Sequence, residues 1–159
     1  MRIGRLDLLR YGHFTDAALE LPMRQPDLHI VYGPNEAGKS TALSALEDFL
    51  FGIPQHSALS FLHDYGSMRI GAVLEAEGNT LRARRRKGKK DTLLTREEVP
   101  IPGGDGTLAK YLAGADRNFF ARMFSLDHSR LRQGGREILE ARDEVGQILF
   151  SAGAGLAGL

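Results

Sequence analysis

The residues Gly33-Pro34-Asn35-Glu36-Ala37-Gly38-Lys39-Ser40 fit the spacing G-x-x-x-x-G-K-[ST]. That spacing serves a definite chemistry. Successive backbone amides at the start of a helix face a phosphate, and their close approach requires small residues such as Ala37 and Gly38. Lys39 is then placed to bridge β- and γ-phosphate oxygens. The Ser40 hydroxyl can take one position on an octahedral Mg²⁺ that otherwise keeps water and phosphate oxygens. Gly33, Asn35, Glu36 and Thr41 complete the expected ATP·Mg²⁺ set. The competing reading is a glycine-rich turn with a chance lysine.

The loop works only between a strand and a helix, and the flanks supply both patterns. Leu28-His29-Ile30-Val31-Tyr32 is a short apolar, β-rich run and predicts a buried strand. From Ser40, the residues Ala42, Leu43, Leu46, Phe49 and Leu50 recur at helical spacing until Gly52 and Pro54. Upstream, residues 2–9 and 17–21 flank a glycine turn and predict a β-hairpin. Residues 53–67 lack a sustained period and predict a loop with one short helical turn. Met68 to Ala76, Thr80 to Lys87 and Asp91 to Val99 then predict an antiparallel meander. Thr107 to Ala113, Asp116 to Met123 and a stretch including Val145 to Phe150 predict helices.

The chain has 159 residues, 42% hydrophobic and 26% charged, with 21 basic and 20 acidic side chains. One globular domain is expected. Without a cysteine, disulfide frameworks, zinc-thiolate sites and thiol catalysis are excluded. No apolar run reaches the ~18 residues of a membrane span, and residues 1–12 lack a leader's apolar segment. A cytoplasmic location is the expectation. Seven basic residues lie within Arg82-Ala83-Arg84-Arg85-Arg86-Lys87-Gly88-Lys89-Lys90, leaving 14 basic against 20 acidic elsewhere, a net −6.

The stretch GPNEAGKSTALSALEDFLFG resembles the phosphate loop and first helix of SMC-like, ABC-type ATPases of the SbcC kind, most of all the YhaN-like branch. The opening hairpin, the segment LSFLHDYGSMRIGAVLEAEGNTLRARRRKG, LDHSRLRQGG and LFSAGAGL resemble that branch as well. The resemblance implies an α/β fold, the N-terminal lobe of a P-loop NTPase head with an antiparallel β-meander and C-terminal helices. It also implies that residues 1–159 form the first part of a head domain. A coiled coil and a C-terminal half with the signature, the Walker B acids and a switch histidine would follow. ATP would drive engagement of two heads in DNA repair, with DNA and a nuclease as further partners.

Several family positions depart from the pattern. Leu131-Arg132-Gln133-Gly134-Gly135 lacks the serine and the order of the signature. Met123-Phe124-Ser125-Leu126-Asp127 is interrupted and ends in Asp-His rather than Asp-Glu. Asp127 or His128 falls where the family places its Q-loop glutamine. Asp127 could hold Mg²⁺ through water and His128 could sense the γ-phosphate, or Asp127 could cap a following helix. The resemblance also places His13 near the base or ribose, against an ordinary turn histidine. The chain alone is therefore expected to bind ATP without efficient hydrolysis.

Arg84, Arg85, Arg86, Lys87, Lys89 and Lys90 predict an exposed hairpin tip with charge on both faces. Two readings stand: contact with DNA phosphates, or a solvated edge whose charges deter aggregation. Competing functions are a nucleic-acid-binding module with a structural nucleotide site and a small P-loop phosphotransferase, against which the meander argues. A GTPase lacks Asn-Lys-x-Asp, and Asp143-Glu144-Val145-Gly146 has no strand before it.

Overall fold

The computed structural model describes residues 1–24, 27–125 and 131–136. The chain divides into two units, Met1–Phe120 and Ala121–Leu159. The first contains β1 (Arg2–Tyr11), β2 (Phe14–Glu20), α1 (Lys39–Phe51), β3 (Arg69–Ala76), β4 (Asn79–Arg86), β5 (Leu93–Leu94) and α2 (Gly106–Leu112). Helix α3 (Arg117–Met123) starts there and crosses the boundary. Of the second unit, the described residues 131–136 are helical.

The strands form one antiparallel sheet in the order β2-β1-β3-β4-β5. Directly paired residues share a face. Leu19, Leu6, Ala72 and Ala83 therefore line one side, as do Ala17, Leu8, Ile70, Arg85 and Leu93. Ala42, Ala45 and Phe49 of α1 join these residues in the core, together with Leu108, Tyr111 and Phe120. The other side carries Arg5, Val73 and Arg82 in one row and Asp7, Gly71 and Arg84 in the next.

The hairpin, the meander and the helices beginning near residues 39, 106 and 117 follow the sequence pattern. Asp116 Oδ1 accepts from the Phe119 amide at 2.7 Å, which fixes the start of α3. Residues 53–67 hold two short turns in place of the one expected: one at 58–59, where the Ser60 hydroxyl donates to the Ser57 carbonyl, and one where the amides of Ser67 and Met68 both bond to the Asp64 carbonyl. The last strand is much shorter than expected. Thr95 Oγ1 accepts from the amides of Glu97 and Val99, and the Thr95 amide bonds to the Val99 carbonyl. That local turn competes with the ladder and stops β5 at Leu94.

Residues 28–32 correct the sequence reading. They carry no sheet pairing, and Leu28, Ile30, Val31 and Tyr32 are exposed. A strand is held by a neighbour's amides and carbonyls, and every described ladder here is antiparallel and lies elsewhere. Apolar composition made the run a candidate strand, but no adjacent strand among the described residues receives it.

The basic run is the second correction. Arg85 is fully buried on the helix-covered side rather than exposed at a tip. Its Nε donates to the Phe49 carbonyl at 2.8 Å and a terminal nitrogen reaches the Leu50 carbonyl at 3.4 Å. Those carbonyls lie in the last turn of α1, where intrahelical donors run out and a cation is favoured. Thr92 Oγ1 at 2.8 Å and the Asp105 carboxylate complete its bonds. Lys87 donates to the Pro54 carbonyl and, at 2.7 Å, to that of Gln55, with its ammonium 4.0 Å from the centre of the Tyr65 ring. Arg86 bonds the carbonyls of Asp91 and Lys90. Lys89 and Lys90 are exposed in the β4–β5 loop.

Candidate nucleotide-binding site

The phosphate loop ends at Gly38, which adopts φ 92° and precedes the first helical residue, Lys39. No side chain caps this helix, and the first turn holds no acidic residue. The first-turn amides thus face the loop's interior with the positive end of the helix dipole behind them. Loop closure is local: the Ala37 amide bonds to the Pro34 carbonyl at 3.3 Å. Glu36 has φ 67°, a backbone strain of the sort that surrounding structure must hold in place.

Gly38 is required by space as well as by φ. A Cβ there would lie 2.4 Å from Phe14 Cζ and 2.5 Å from His13 Cε1. The β1–β2 turn therefore leans directly on the loop, with the His13 and Phe14 rings 4.0 Å apart. This brings exposed His13 beside the phosphate loop. The sequence reading missed Phe14, which lies between the two predicted strands of the hairpin and carried no signal of its own.

Lys39 Nζ donates to the carbonyls of Gly33 and Pro34, both at 2.7 Å. The ammonium thus bridges the first residues of the loop from the helix that follows it. A triphosphate entering the loop would offer stronger, charged acceptors in exchange for these two carbonyls. Asn35, Glu36, Ala37 and Ser40 are exposed, and the Ser40 hydroxyl has no partner among the described residues. Among the described residues no group of three His, Asp or Glu side chains could cage a metal. One free hydroxyl beside a phosphate loop fits Mg²⁺, which is commonly held by one or two protein oxygens plus phosphates and water. Asp127 and His128 lie outside the described residues, as do Asp143 to Gly146 and the stretch from Val145 to Phe150.

The far end of α1 is held by a largely buried polar cluster. Tyr11 Oη donates to Asp48 Oδ2 at 2.6 Å, and Arg117 reaches Glu47 at 3.1 Å, Asp48 at 3.0 Å and the Gly52 carbonyl. Burial raises the Asp48 carboxyl above its ordinary range, although the hydrogen bonds from Tyr11 and Arg117 and the Arg117 charge oppose that shift. Burial, with the Asp48 charge beside it, likewise pushes the Tyr11 hydroxyl up, so it remains a donor at neutral pH. This cluster ties the start of α3 to the far end of the helix whose first turn forms the site.

A glycine-rich loop closing on Lys39-Ser40 at a bare helix start is the phosphate-binding arrangement of the P-loop NTPases. The family model described as an AAA domain matches residues 1–159, and the chain belongs to that family. It is 31% identical to the uncharacterized protein YhaN of Bacillus subtilis (strain 168), an alignment that covers 96% of this chain and 15% of that protein. This chain thus spans under a sixth of that curated relative's length. No helix among the described residues is long and apolar enough to cross a membrane.

Proposed function

We propose that this chain is the ATP-binding part of an SMC-like ATPase head that becomes a working ATPase only with a C-terminal half. In this reading Lys39 and the amides from Asn35 to Thr41 hold the phosphates, Ser40 holds Mg²⁺, and Mg²⁺ neutralises phosphate charge. His13 borders the nucleotide. ATP then closes two heads on each other in the handling of DNA, with a nuclease as a further partner.

The observation that carries this reading is the apolar run Leu28–Tyr32, unpaired and exposed, leading straight into the phosphate loop. An apolar groove of about 230 Å³ beside it is lined by Leu19, Leu21, Val31, Leu43 and Leu46. Exposed β-rich residues next to an uncovered apolar groove are what strands of a second half would cover. The short coverage of the curated relative leaves ample chain to supply them.

Calorimetric titration of ATP with Mg²⁺, with released phosphate followed in the same sample, tests the proposal. Saturable binding without release is expected, with release appearing when the C-terminal half is added. Lys39→Ala should weaken binding at least about tenfold, the scale of a lost charge-assisted contact. Equal affinity in that variant, or enzyme-like turnover by the chain alone, would overturn it.

A further inference from the structure

The side of the sheet opposite α1 carries a groove of about 340 Å³. Its shape follows from the register. The central strand β3 contributes Gly71 and Val73, while β1 and β4 on either side contribute Arg5, Asp7, Arg82 and Arg84. Small residues down the middle and long ones along the flanks make a trough floored by the Val73 side chain. A Cβ on Gly71 would come within 3.1 Å of Asp7 Cβ, so that glycine is what lets β1 and β3 lie so close on this face. Arg96, carried past the end of β5 by the turn at Thr95, closes the far wall.

Charge is distributed unevenly along this trough. At the β1 end Arg5 is satisfied, bonding to Asp7 at 2.6 Å and to Glu20. At the β4 end the acids run short. Glu98 serves Arg69 at 2.7 Å and reaches Arg84 at only 3.5 Å. Among the described residues neither Arg82 nor Arg96 has a side-chain hydrogen bond or ion pair. Three guanidinium groups thus line one groove in which the Asp7 carboxylate is taken by Arg5 and Glu98 is shared between Arg69 and Arg84. Nothing in the packing requires this arrangement, since Arg82 and Arg96 are exposed, and like charges held together weaken the fold unless an anion joins them.

We propose that Arg82, Arg84 and Arg96 form a binding site for an extended phosphate-bearing anion. Guanidinium forks match phosphate oxygens two at a time. Arg82 and Arg84 are alternate residues of one strand, so their Cα atoms stand roughly 7 Å apart. That separation suits phosphates spaced along a chain rather than a single small anion. Two sources carry this chemistry, a nucleic-acid backbone and a linear inorganic polyphosphate. The site stands independently of the phosphate loop. Only its occupation by DNA rests on the DNA-handling role proposed above. It also moves the expected contact away from the β4–β5 loop, where Arg86 and Lys87 are engaged by backbone carbonyls.

The test uses the chain with two probes, a labelled oligonucleotide of arbitrary sequence and a linear polyphosphate, followed by anisotropy and by calorimetry. Three proteins are compared: wild type, Arg82→Ala/Arg96→Ala, and the loop variant Lys89→Ala/Lys90→Ala. The arginine pair should weaken binding at least about tenfold and lower the salt slope by roughly 1.5 to 2, as removal of two phosphate contacts predicts. The lysine pair should change affinity by less than about threefold. A glutamine version, Arg82→Gln/Arg96→Gln, keeps the stems and must give the same loss, which separates charge from packing. Binding of both probes, or of the oligonucleotide alone, supports the site with a nucleic-acid ligand. Binding of polyphosphate alone supports the site while removing the DNA reading. Failure of the wild type to bind either probe, or equal affinity in the arginine variants, overturns the proposal.

Discussion

Leu28, Ile30 and Tyr32 stand 74%, 76% and 89% exposed, whereas Arg85, in the middle of the basic run, is 0% exposed. Hydropathy ranks these two regions in the opposite order. Arg85 can be buried because α1 ends above it and needs donors: the Phe49 and Leu50 carbonyls, Thr92 and the Asp105 carboxylate take up its hydrogen bonds. Residues 28–32 stay exposed because no described strand lies beside them. Burial therefore follows from which partner is present: Arg85 has the helix end, and the apolar run has no described neighbour, which is why the proposed function assigns it a second half.

The strongest way to break this comparison is at Arg85. Arg85→Ala leaves helix carbonyls without a donor and should cost about 3 to 5 kcal/mol, as removal of a buried charged partner usually does. Chemical denaturation of the variant against Arg84→Ala measures it. Arg84 is half-buried and, among the described residues, is paired only with Glu98 at 3.5 Å, so its loss should stay below about 1 kcal/mol. Equal costs at the two positions would mean that the run behaves as one solvated patch.

Arg117 sharpens the same point with a pH dependence. Arg117→Ala leaves Glu47 and Asp48 beside each other without their guanidinium, at an expected cost near 3 kcal/mol at neutral pH. The Asp48 carboxyl, already raised by burial, should rise further once that cation is gone. A carboxyl whose folded value lies above its unfolded one destabilises the fold wherever it is ionised. That penalty is full above the folded value and is relieved as pH falls through it toward the unfolded value of 3.8. The gap in melting temperature between variant and wild type should therefore narrow on acidification from about pH 7 to about pH 4.5. A gap that widens over that range would show that Asp48 is stabilised as the anion.

The smallest expected effect on stability lies in the apolar run. Ile30→Ser with Tyr32→Ser should change the stability of this chain by no more than about 0.5 kcal/mol per site, since both side chains already face solvent. The same pair should weaken capture of the C-terminal half severalfold or more in a pull-down with purified protein. A large loss of stability in the chain alone would place these residues in its own core instead.

Local pattern carried much of the fold. The alternation in residues 2–11 and 69–86, the turn glycines between them and the helical spacing after Ser40 were legible because they express local geometry. The phosphate loop was legible for the same reason, since its chemistry is written in contiguous residues. Three features were not. The shortness of β5 depends on the Thr95 hydroxyl competing for amides, which composition does not reveal. The approach of Phe14 to Gly38 joins residues about 25 positions apart and needs the hairpin's position on the helix, and the family resemblance rather than the local pattern pointed to His13 beside it. The groove of Arg5, Arg82, Arg84 and Arg96 depends on register across three strands, and Arg96 carried no signal at all.

By itself the sequence determined a phosphate-binding loop, an antiparallel meander and a concentrated positive charge, because each is encoded by neighbours along the chain. Only the tertiary structure decided which arginines are structural and which are free, and that the run before the loop stays uncovered. A side chain's depth and partners are set by what packs against it, and for Arg85 two of its acceptors lie on a helix more than thirty residues away.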